Sequence, residues 1–292
     1  MKLSDILSKK NNIIRDGIFS SMGNLFSHYP DQIVYAVRES DIAKITGNAS
    51  TSCVITTPYL ASRIPDMKGI VSAQDPQYTY YAIQSALSQN PEFVLEPFIN
   101  QISQSAKIHP SAVIASISVA IGKDVVIEKN VIVNEQTIID EGSIIRSNST
   151  IGNIPLHPGA AMKCPVIQPS GGVHLCRNVD IHANTRIDRA IFKGFTEIGE
   201  QTKIDNLNTI GPGTTIGKKC LICGGVSIRE SVKIGDDAWI GPNAILENQI
   251  MIGNNVYITI GSSVTRDIGN DKVVKDNYAL DRKRFRKVIR GM

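Results

Sequence analysis

Five histidines are the side chains of this chain best suited to moving a proton, because imidazole alone changes its charge near neutral pH. We select His182, His174 and His157 as candidate general bases. His157 and His174 bracket an irregular segment, and His182 stands at a corner of a six-residue repeat, where glycine is usual. These residues need a scaffold that holds them in fixed positions.

An aliphatic residue recurs at every sixth position and indicates that scaffold. A period of six matches neither an amphipathic helix nor an alternating strand, but it fits short strands separated by tight corners and stacked as a solenoid. The aliphatic residue is predicted to fill the interior, the second residue, often glycine, to adopt the corner's backbone angles, and the fifth to pack where little volume is free. The unbroken series is Ile198, Ile204, Ile210, Ile216, Ile222, Ile228, Ile234, Ile240, Leu246, Ile252, Ile258 and Val264.

The pattern resembles that of the hexapeptide-repeat proteins, which implies the fold class. We predict a mainly β protein: a left-handed parallel β-helix with a small N-terminal α/β domain and a C-terminal basic helix. The predicted boundaries are 1–100 for the α/β domain, 101–270 for the β-helix and 271–292 for the helix. A segment rich in Pro and Gly at 152–174 is interpreted as an excursion, and the step of eleven from Ile187 to Ile198 as the loss of one residue.

Two motifs lie in the second half of the chain: residues 185–189 read TRIDR, and residues 203–207 read KIDNL. They resemble the T-T-I-D-R and K-I-D-N-L of the UDP-3-O-acylglucosamine N-acyltransferases of lipid A synthesis. The N-terminal stretches 31–35, 52–55 and 75–78 add to the likeness, and Tyr35 stands where the family stacks an aromatic side chain on uracil. The resemblance implies substrate contacts at Tyr35, Asp188, Arg189 and Asn206. It also implies that Asp205 is the catalytic carboxylate that would orient the base.

Pro212 marks a departure from this family, because it stands where the family carries its catalytic histidine and proline cannot accept a proton. Residues 18 apart stack on one edge of a coil made of three hexads. Glu230 therefore shares an edge with Pro212, and we predict it as a substrate contact and as an alternative base.

The C-terminal third is similar to hexapeptide acetyltransferases that use acetyl-coenzyme A. Residues 237–244 resemble their D-x-W-I-G-x-N-A, and residues 261–268 resemble G-S-V-V-T-K-D-I. The likeness implies acetyl- or acyl-coenzyme A as co-substrate, or alternatively acyl carrier protein, and no metal. The implied donor contacts are Trp239, Gly241, Ser262 and Arg266.

The amino-acid composition limits the kinds of partner and the compartment that we expect for this protein. The net charge of +4, from 31 basic and 27 acidic residues, is too small to indicate nucleic-acid binding. No apolar run is long enough to span a membrane, and the five scattered cysteines suit a reducing cytoplasm.

Two functions follow from these observations. The first is an N-acyltransferase that moves an acetyl or short acyl group to the amine of a nucleotide-linked amino sugar in bacterial surface glycan synthesis, such as lipopolysaccharide, as a homotrimer. The second is a catalytically impaired trimer of the same fold that binds a sugar or a carrier. A metal hydratase is disfavoured, because the spacings of the histidines do not resemble that family.

Overall fold

The structure, a computed structural model, describes residues 1–7, 12–27, 29–64, 69–155 and 168–275. The candidate base His157 lies outside these residues, as does the C-terminal segment from 276 onward. Residues 271–275, which were predicted to begin a helix, instead contribute a strand to the β-helix, because the coil pattern continues as far as Val274.

The N-terminal unit is a five-stranded sheet with helices packed on it. Four neighbouring strands of this sheet pair in parallel, and the fifth strand pairs antiparallel with them at one edge of the sheet. The last helix begins where the Asp75 carboxylate accepts a hydrogen bond from the Tyr78 amide at 2.9 Å, with proline at its first position. The elements are α1 (Leu3–Ile6), β1 (Asn12–Arg15), β2 (Ser21–Met22), β3 (Gln32–Ala36), α2 (Glu39–Gly47), β4 (Thr51–Thr56), α3 (Pro58–Ala61), β5 (Gly69–Ser72) and α4 (Pro76–Leu87).

The solenoid follows as short strands that form three long parallel sheets. Its strands are β6 (Gln101–Ile102), β7 (Lys107–Ile108), β8 (Val113–Ile114), β9 (Val119–Ile121), β10 (Val126–Ile127), β11 (Ile132–Val133), β12 (Thr137–Ile139), β13 (Ile144–Ile145), β14 (Thr150–Asn153), β15 (Gly172–Leu175), β16 (Asp180–Ile181), β17 (Arg186–Asp188), β18 (Phe195–Ile198), β19 (Lys203–Ile204), β20 (Thr209–Ile210), β21 (Thr215–Ile216), β22 (Leu221–Ile222), β23 (Ser227–Ile228), β24 (Lys233–Ile234), β25 (Trp239–Ile240), β26 (Ile245–Leu246), β27 (Met251–Ile252), β28 (Tyr257–Ile258), β29 (Ser263–Val264) and β30 (Val273–Val274).

From β6 to β29 every third strand belongs to the same sheet, so each coil has three faces. We call sheet 1 the stack from β7 to β28 and β30, sheet 2 the stack from β8 to β29, and sheet 3 the stack from β6 to β27. The corners between them form three edges: edge 1–2, edge 2–3 and edge 3–1. The predicted fold class, a mainly β parallel β-helix built from hexads and preceded by a small α/β unit, is confirmed.

The hexad positions behave as predicted in two respects and differ in one. First-position aliphatics from Ile198 to Val264 form the core, and fifth positions such as Thr202, Thr214 and Ala244 are buried. The left-handed backbone conformation, however, falls at the fourth position, at every sixth residue from Gln201 to Gly261, and not at the second. The prediction that second-position glycines adopt the backbone angles of the corner was therefore wrong.

Second-position glycines are required because neighbouring coils approach closely. A Cβ on Gly211 would lie 2.6 Å from the carbonyl carbon of Arg229 in the next coil, and one on Gly199 would lie 2.5 Å from that of Gly217. Backbone cannot move aside as a flexible side chain can. These glycines therefore set the tight contact between coils along the edges.

Gly211→Ala is expected to lower the free energy of unfolding by about 1–3 kcal/mol, because the added methyl group overpacks two stacked coils. Chemical denaturation of both proteins measures the difference. The matched control is Gly47→Ala in α2, where a Cβ meets no atom within 4 Å. Equal destabilisation by the two substitutions would contradict the close-contact explanation.

Both interruptions of the repeat occur at edge 2–3. The first is the excursion between β14 and β15, and the second is the segment 189–194 between β17 and β18. The step of eleven residues is therefore a looped-out segment and not a simple deletion. Ile191 and Phe192 from this segment are buried in the core of the N-terminal unit, beside Tyr80 and Phe93. The solenoid thus supplies part of the core that its neighbouring unit needs.

Candidate functional site

The N-terminal unit docks on sheet 3 and edge 2–3, and we call this junction the seam. The Asn24 side-chain amide donates a hydrogen bond to Ser231 Oγ at 2.8 Å, and this bond is buried. Lys233 Nζ donates to the Phe26 carbonyl oxygen at 2.9 Å. These two contacts tie residues 207 positions apart in sequence and fix one unit against the other.

Two cavities lie along the seam. The larger one, about 260 Å³, is lined on the solenoid side by Pro212, Glu230 and Lys233, among others. The smaller one, about 150 Å³, is lined by Tyr35, Val37, Arg38, Asp41, Lys44, Leu25 and Gln249. Asn24 lines both cavities, so they are neighbours along one groove.

Tyr35, which lines the smaller cavity, belongs to a cluster of aromatic side chains. The Tyr35 ring centroid lies 5.2 Å from that of Tyr80 and 6.0 Å from that of Tyr81. Burial raises the pKa of Tyr35, and the negative charge of Glu230 raises this pKa further. Tyr35 therefore keeps its hydroxyl proton at neutral pH and can donate a hydrogen bond to a ligand.

Positive side chains line the same seam. Arg38 and Lys44 line the smaller cavity, and Lys233 lines the larger one, where burial lowers its pKa. Lys44 Nζ lies 4.4 Å from the centroid of the Phe26 ring, a cation–π contact that holds it beside the groove. The Asp41 carboxylate accepts hydrogen bonds from the Val37 and Arg38 amides, so it is used within the backbone turn.

His182 lies on edge 1–2, away from the seam, among charged residues. Its Nδ1 is 3.7 Å from Asp205 Oδ1, and its Nε2 is 3.6 Å from Asp180 Oδ2. Asp180 is held by a bidentate contact with Arg146, with distances of 3.0 and 2.8 Å. The half-buried imidazole therefore sits between two carboxylates whose positions are fixed by the coils.

Asp205 and Asn206 are organised by their own corner. The Asn206 amide and side chain both donate to Asp205 Oδ1, at 2.8 and 2.7 Å, and Asn206 Oδ1 accepts from the Ala183 amide. The next residue, Leu207, has a φ of 63° and is 67% exposed. A large apolar side chain in a left-handed corner is unusual, because such conformations favour Gly, Asn and Asp.

His174 lies on the outer face of sheet 3, near edge 3–1. Its Nε2 is 3.0 Å from Asp140 Oδ2, and its ring contacts Phe195 edge to face at 6.0 Å between centroids. Cys176, two residues further on, has its pKa raised to about 11 by burial and by the charges of Glu197 and Asp140. The thiol is therefore protonated at neutral pH and is a poor nucleophile.

Asp188 and Arg189 serve the excursion rather than an open site. Asp188 is almost fully buried and accepts a hydrogen bond of 2.6 Å from Arg186 Nε; burial raises its pKa, and Arg186 acts against that shift. Arg189 Nε donates to the Gly171 carbonyl oxygen at 2.9 Å. Arg189 thus holds the end of the excursion at Gly171, whereas Asp188 pairs with Arg186 within its own strand. Neither side chain lines the seam cavities.

The four predicted donor contacts differ in accessibility. Trp239 is 40% exposed on sheet 1 and stacks on Tyr257, with centroids 5.7 Å apart. Arg266 lines a cavity of about 580 Å³ at the C-terminal end of the described coils, together with Lys272. Ser262 is fully buried and its hydroxyl lies 3.1 Å from Thr259 Oγ1, so this side chain is out of reach of a donor. Gly241 is the fourth predicted donor contact, and a Cβ there would lie 2.7 Å from the Ile258 carbonyl oxygen, so the closeness of the next coil accounts for this glycine.

The structure therefore brings the predicted residues together in separate groups. Tyr35 and Glu230 meet at the seam, whereas His182, Asp205 and Asn206 share edge 1–2. Sequence reasoning missed Arg38, Lys44, Lys233 and Asn24. A basic pair close to the predicted aromatic contact was the available signal for Arg38 and Lys44.

Among the described residues, no helix is both long and apolar enough to cross a membrane.

Comparison with known proteins gives the following relatives. Residues 118–153 and 231–266 match the bacterial transferase hexapeptide (six repeats), and residues 207–230 match the hexapeptide repeat of succinyl-transferase. A probable UDP-3-O-acylglucosamine N-acyltransferase 2, mitochondrial, from Arabidopsis thaliana is 44% identical over 96 residues, which are 33% of this chain and 31% of that protein. The UDP-3-O-acylglucosamine N-acyltransferase of Delftia acidovorans is 32% identical over 115 residues, 39% of this chain and 34% of that protein.

A solved structure, that of a UDP-N-acetylglucosamine acyltransferase from Bacteroides fragilis, is 20% identical with a TM-score of 0.43 and covers 60% of this chain and 71% of that one. The matched region spans about a third of the length of the two sequence relatives. The chain carries the hexapeptide repeats of bacterial transferases. Within that class it resembles the UDP-3-O-acylglucosamine N-acyltransferases.

Proposed function

We propose that the protein is an N-acyltransferase that moves an acetyl or short acyl group from a thioester to the amine of a nucleotide-linked amino sugar. The observation that carries this proposal is the seam, which joins the aromatic side chain of Tyr35, cationic side chains and a carboxylate in one groove. Relatives named for N-acylation of a UDP-sugar support the class. Synthesis of a bacterial surface glycan, such as lipopolysaccharide, is the context we propose.

The groove suits a nucleotide sugar in one orientation. Tyr35 offers a ring face to a nucleobase, and Arg38 and Lys44 offer positive charge to the diphosphate. The sugar then extends into the larger cavity beside Pro212 and Glu230. Glu230 can hold the amine of the acceptor by a charge-assisted hydrogen bond.

The base comes from edge 1–2 in this proposal, and that requires a second copy of the chain. His182 and the seam occupy different edges of one triangular prism, so a single chain cannot join them. In a homotrimer, edge 1–2 of one copy can face edge 2–3 of the next. The exposed, left-handed Leu207 beside Asp205 supports an interface there, because such a residue gains by being covered.

The donor is acetyl- or acyl-coenzyme A, or alternatively an acyl carrier protein. Trp239 provides an exposed aromatic surface for the pantetheine arm or adenine. Arg266 and Lys272 provide positive charge for phosphates at the C-terminal cavity. Ser262 is left out of this donor site because it is buried.

The direct test supplies amino-sugar nucleotides with acetyl-coenzyme A and measures release of the thiol. Turnover is expected, and Arg38→Ala or Lys44→Ala should raise the acceptor KM by about tenfold or more through loss of a charged contact. The matched control is Lys123→Ala, an exposed lysine of the first coils, which should leave KM unchanged. Absence of both turnover and nucleotide-sugar binding would refute the proposal.

A second candidate is a sugar-binding protein of the same fold without catalysis. Pro212 favours it, because this residue lines the larger cavity and cannot act as a base. Binding of a nucleotide sugar at the seam with no thiol release from any donor would identify this alternative.

A cytoplasmic location is part of the main proposal. The four cysteines within the described residues are free thiols, which suits a reducing compartment.

A further inference from the structure

Three side chains with different ligand chemistry converge near edge 3–1. They are Asp140, His174 and Cys176, and their ligand atoms all lie within 4.8 Å of one another. All three are half-buried. Carboxylate, imidazole and thiolate together form a donor set that binds zinc and related divalent transition ions in preference to calcium or magnesium.

Strand register fixes the positions of these groups. Sheet 3 pairs β12 with β15 so that Ile138 lies beside His174 and Ile139 lies beside Leu175. Asp140 and Cys176 therefore follow directly after paired, buried positions in adjacent coils. A site built on stacked strands is preorganised, since its ligands cannot drift with a loop.

The separation of the ligand atoms suits one small ion. The distance from His174 Nε2 to Asp140 Oδ2 is 3.0 Å. Two ligands bound to zinc at about 2.1 Å in tetrahedral geometry lie about 3.4 Å apart. A small shift of side chains, without backbone movement, would bring the ligands around an ion.

The surrounding charge also favours a cation. Glu197 pairs in register with His174, and its charge acts on the Cys176 thiol together with the charges of Asp140 and Glu200. Lys218 is the positive group that acts on the same thiol. Three carboxylates against one ammonium leave this corner negative.

We propose that Asp140, His174 and Cys176 bind a divalent transition-metal ion, zinc foremost, with water as the fourth ligand. The thiol releases its proton to solvent as the metal–sulfur bond forms. The likeness to acetyltransferases that use acetyl-coenzyme A implied no metal. No local motif marks this trio, because Asp140 and His174 are 34 residues apart in sequence.

The ion would fasten the chain where it returns from the excursion. β15 is the first strand after that segment, and its ligands would be clamped to β12 in the preceding coil. Phe195, which contacts the His174 ring, also lines the larger seam cavity. The site thus supports the wall of the seam from behind, and it assigns His174 a role other than general base.

The experiment is a cobalt titration of the full chain after removal of metals with a chelator. Thiolate-to-cobalt charge transfer in the near ultraviolet and d–d bands of tetrahedral cobalt are expected to saturate at one ion per chain. Cys176→Ser should abolish the charge-transfer band, and His174→Ala should weaken binding at least tenfold. Cys223→Ser, a half-buried thiol on edge 1–2, is the matched control and should keep the full spectrum.

Thermal melts of the metal-free proteins keep the result interpretable. Melting of Cys176→Ser at the wild-type temperature without metal, together with a zinc-induced rise in the melting temperature only for the wild type and Cys223→Ser, would support the site. Cobalt spectra without a thiolate band, or spectra unchanged in Cys176→Ser and His174→Ala, would overturn it. Because the readout needs no substrate, a failure of the acyltransferase proposal leaves this result unaffected.

Discussion

His182→Gln is expected to lower kcat of acyl transfer by about 10²–10⁴-fold, the usual contribution of a positioned general base. The imidazole lies between the carboxylates of Asp205 and Asp180 on edge 1–2, which flank its two nitrogens at 3.7 and 3.6 Å. Glutamine keeps a similar size but cannot accept that proton. Steady-state kinetics with saturating donor measure kcat and KM separately, and KM for the acceptor should change little.

Two further variants make this assignment falsifiable. His109→Gln replaces a histidine on the same edge in the first coil, bonded to Ser111, and should leave kcat unchanged. Glu230→Gln removes the carboxylate at the seam and should raise the acceptor KM more than it lowers kcat. If His182→Gln turns over at the wild-type rate while Glu230→Gln loses kcat, the base is Glu230 and a subunit interface is not needed for proton transfer.

The repeat could be predicted from the sequence because its physics is local. Each hexad places one aliphatic residue inward, and twelve such residues in one register leave few alternative folds. The cause of the second-position glycines could not be read in the same way. A residue type reports that a side chain is excluded, but not whether a backbone angle or a neighbouring coil excludes it. Only stacked coils show that Gly211 faces the backbone of Arg229.

Phase counting also has a limit, which the second interruption shows. A step of eleven residues from Ile187 to Ile198 records the net change in register, and many paths of the chain give the same number. The path taken sends Ile191 and Phe192 into the N-terminal unit. Nothing in the local pattern distinguishes these apolar residues from ordinary core positions of a coil.

The candidate site was predicted in pieces for a related reason. Tyr35 and Glu230 were each selected, one from resemblance and one from its edge, but their meeting depends on how two units dock. That docking rests on contacts such as Asn24 with Ser231, whose sequence separation hides them from any pattern. Arg38 and Lys44 become notable only once the seam places them around a cavity.

Phe192→Ala is expected to destabilise the N-terminal unit by about 3–5 kcal/mol, the usual cost of removing a buried phenylalanine. Phe192 belongs to the solenoid in sequence, yet its ring packs edge to face against Tyr80, with centroids 5.9 Å apart. The substitution therefore removes a core side chain from the N-terminal unit and a contact that joins this unit to the solenoid. The β-helix itself keeps its hexads and should retain its stability.

The single tryptophan allows the two units to be measured separately. Trp239 lies on sheet 1, so its fluorescence reports unfolding of the β-helix, whereas far-ultraviolet circular dichroism reports both units. In a urea titration of Phe192→Ala, an early dichroism transition should appear while the fluorescence midpoint stays in place. Ile14→Ala, an exposed position of β1, is the control and should change stability by less than about 0.5 kcal/mol. If Phe192→Ala shifts the fluorescence midpoint as far as the dichroism midpoint, the two units unfold together. The seam is then part of one cooperative core, and not a docking surface between separable units.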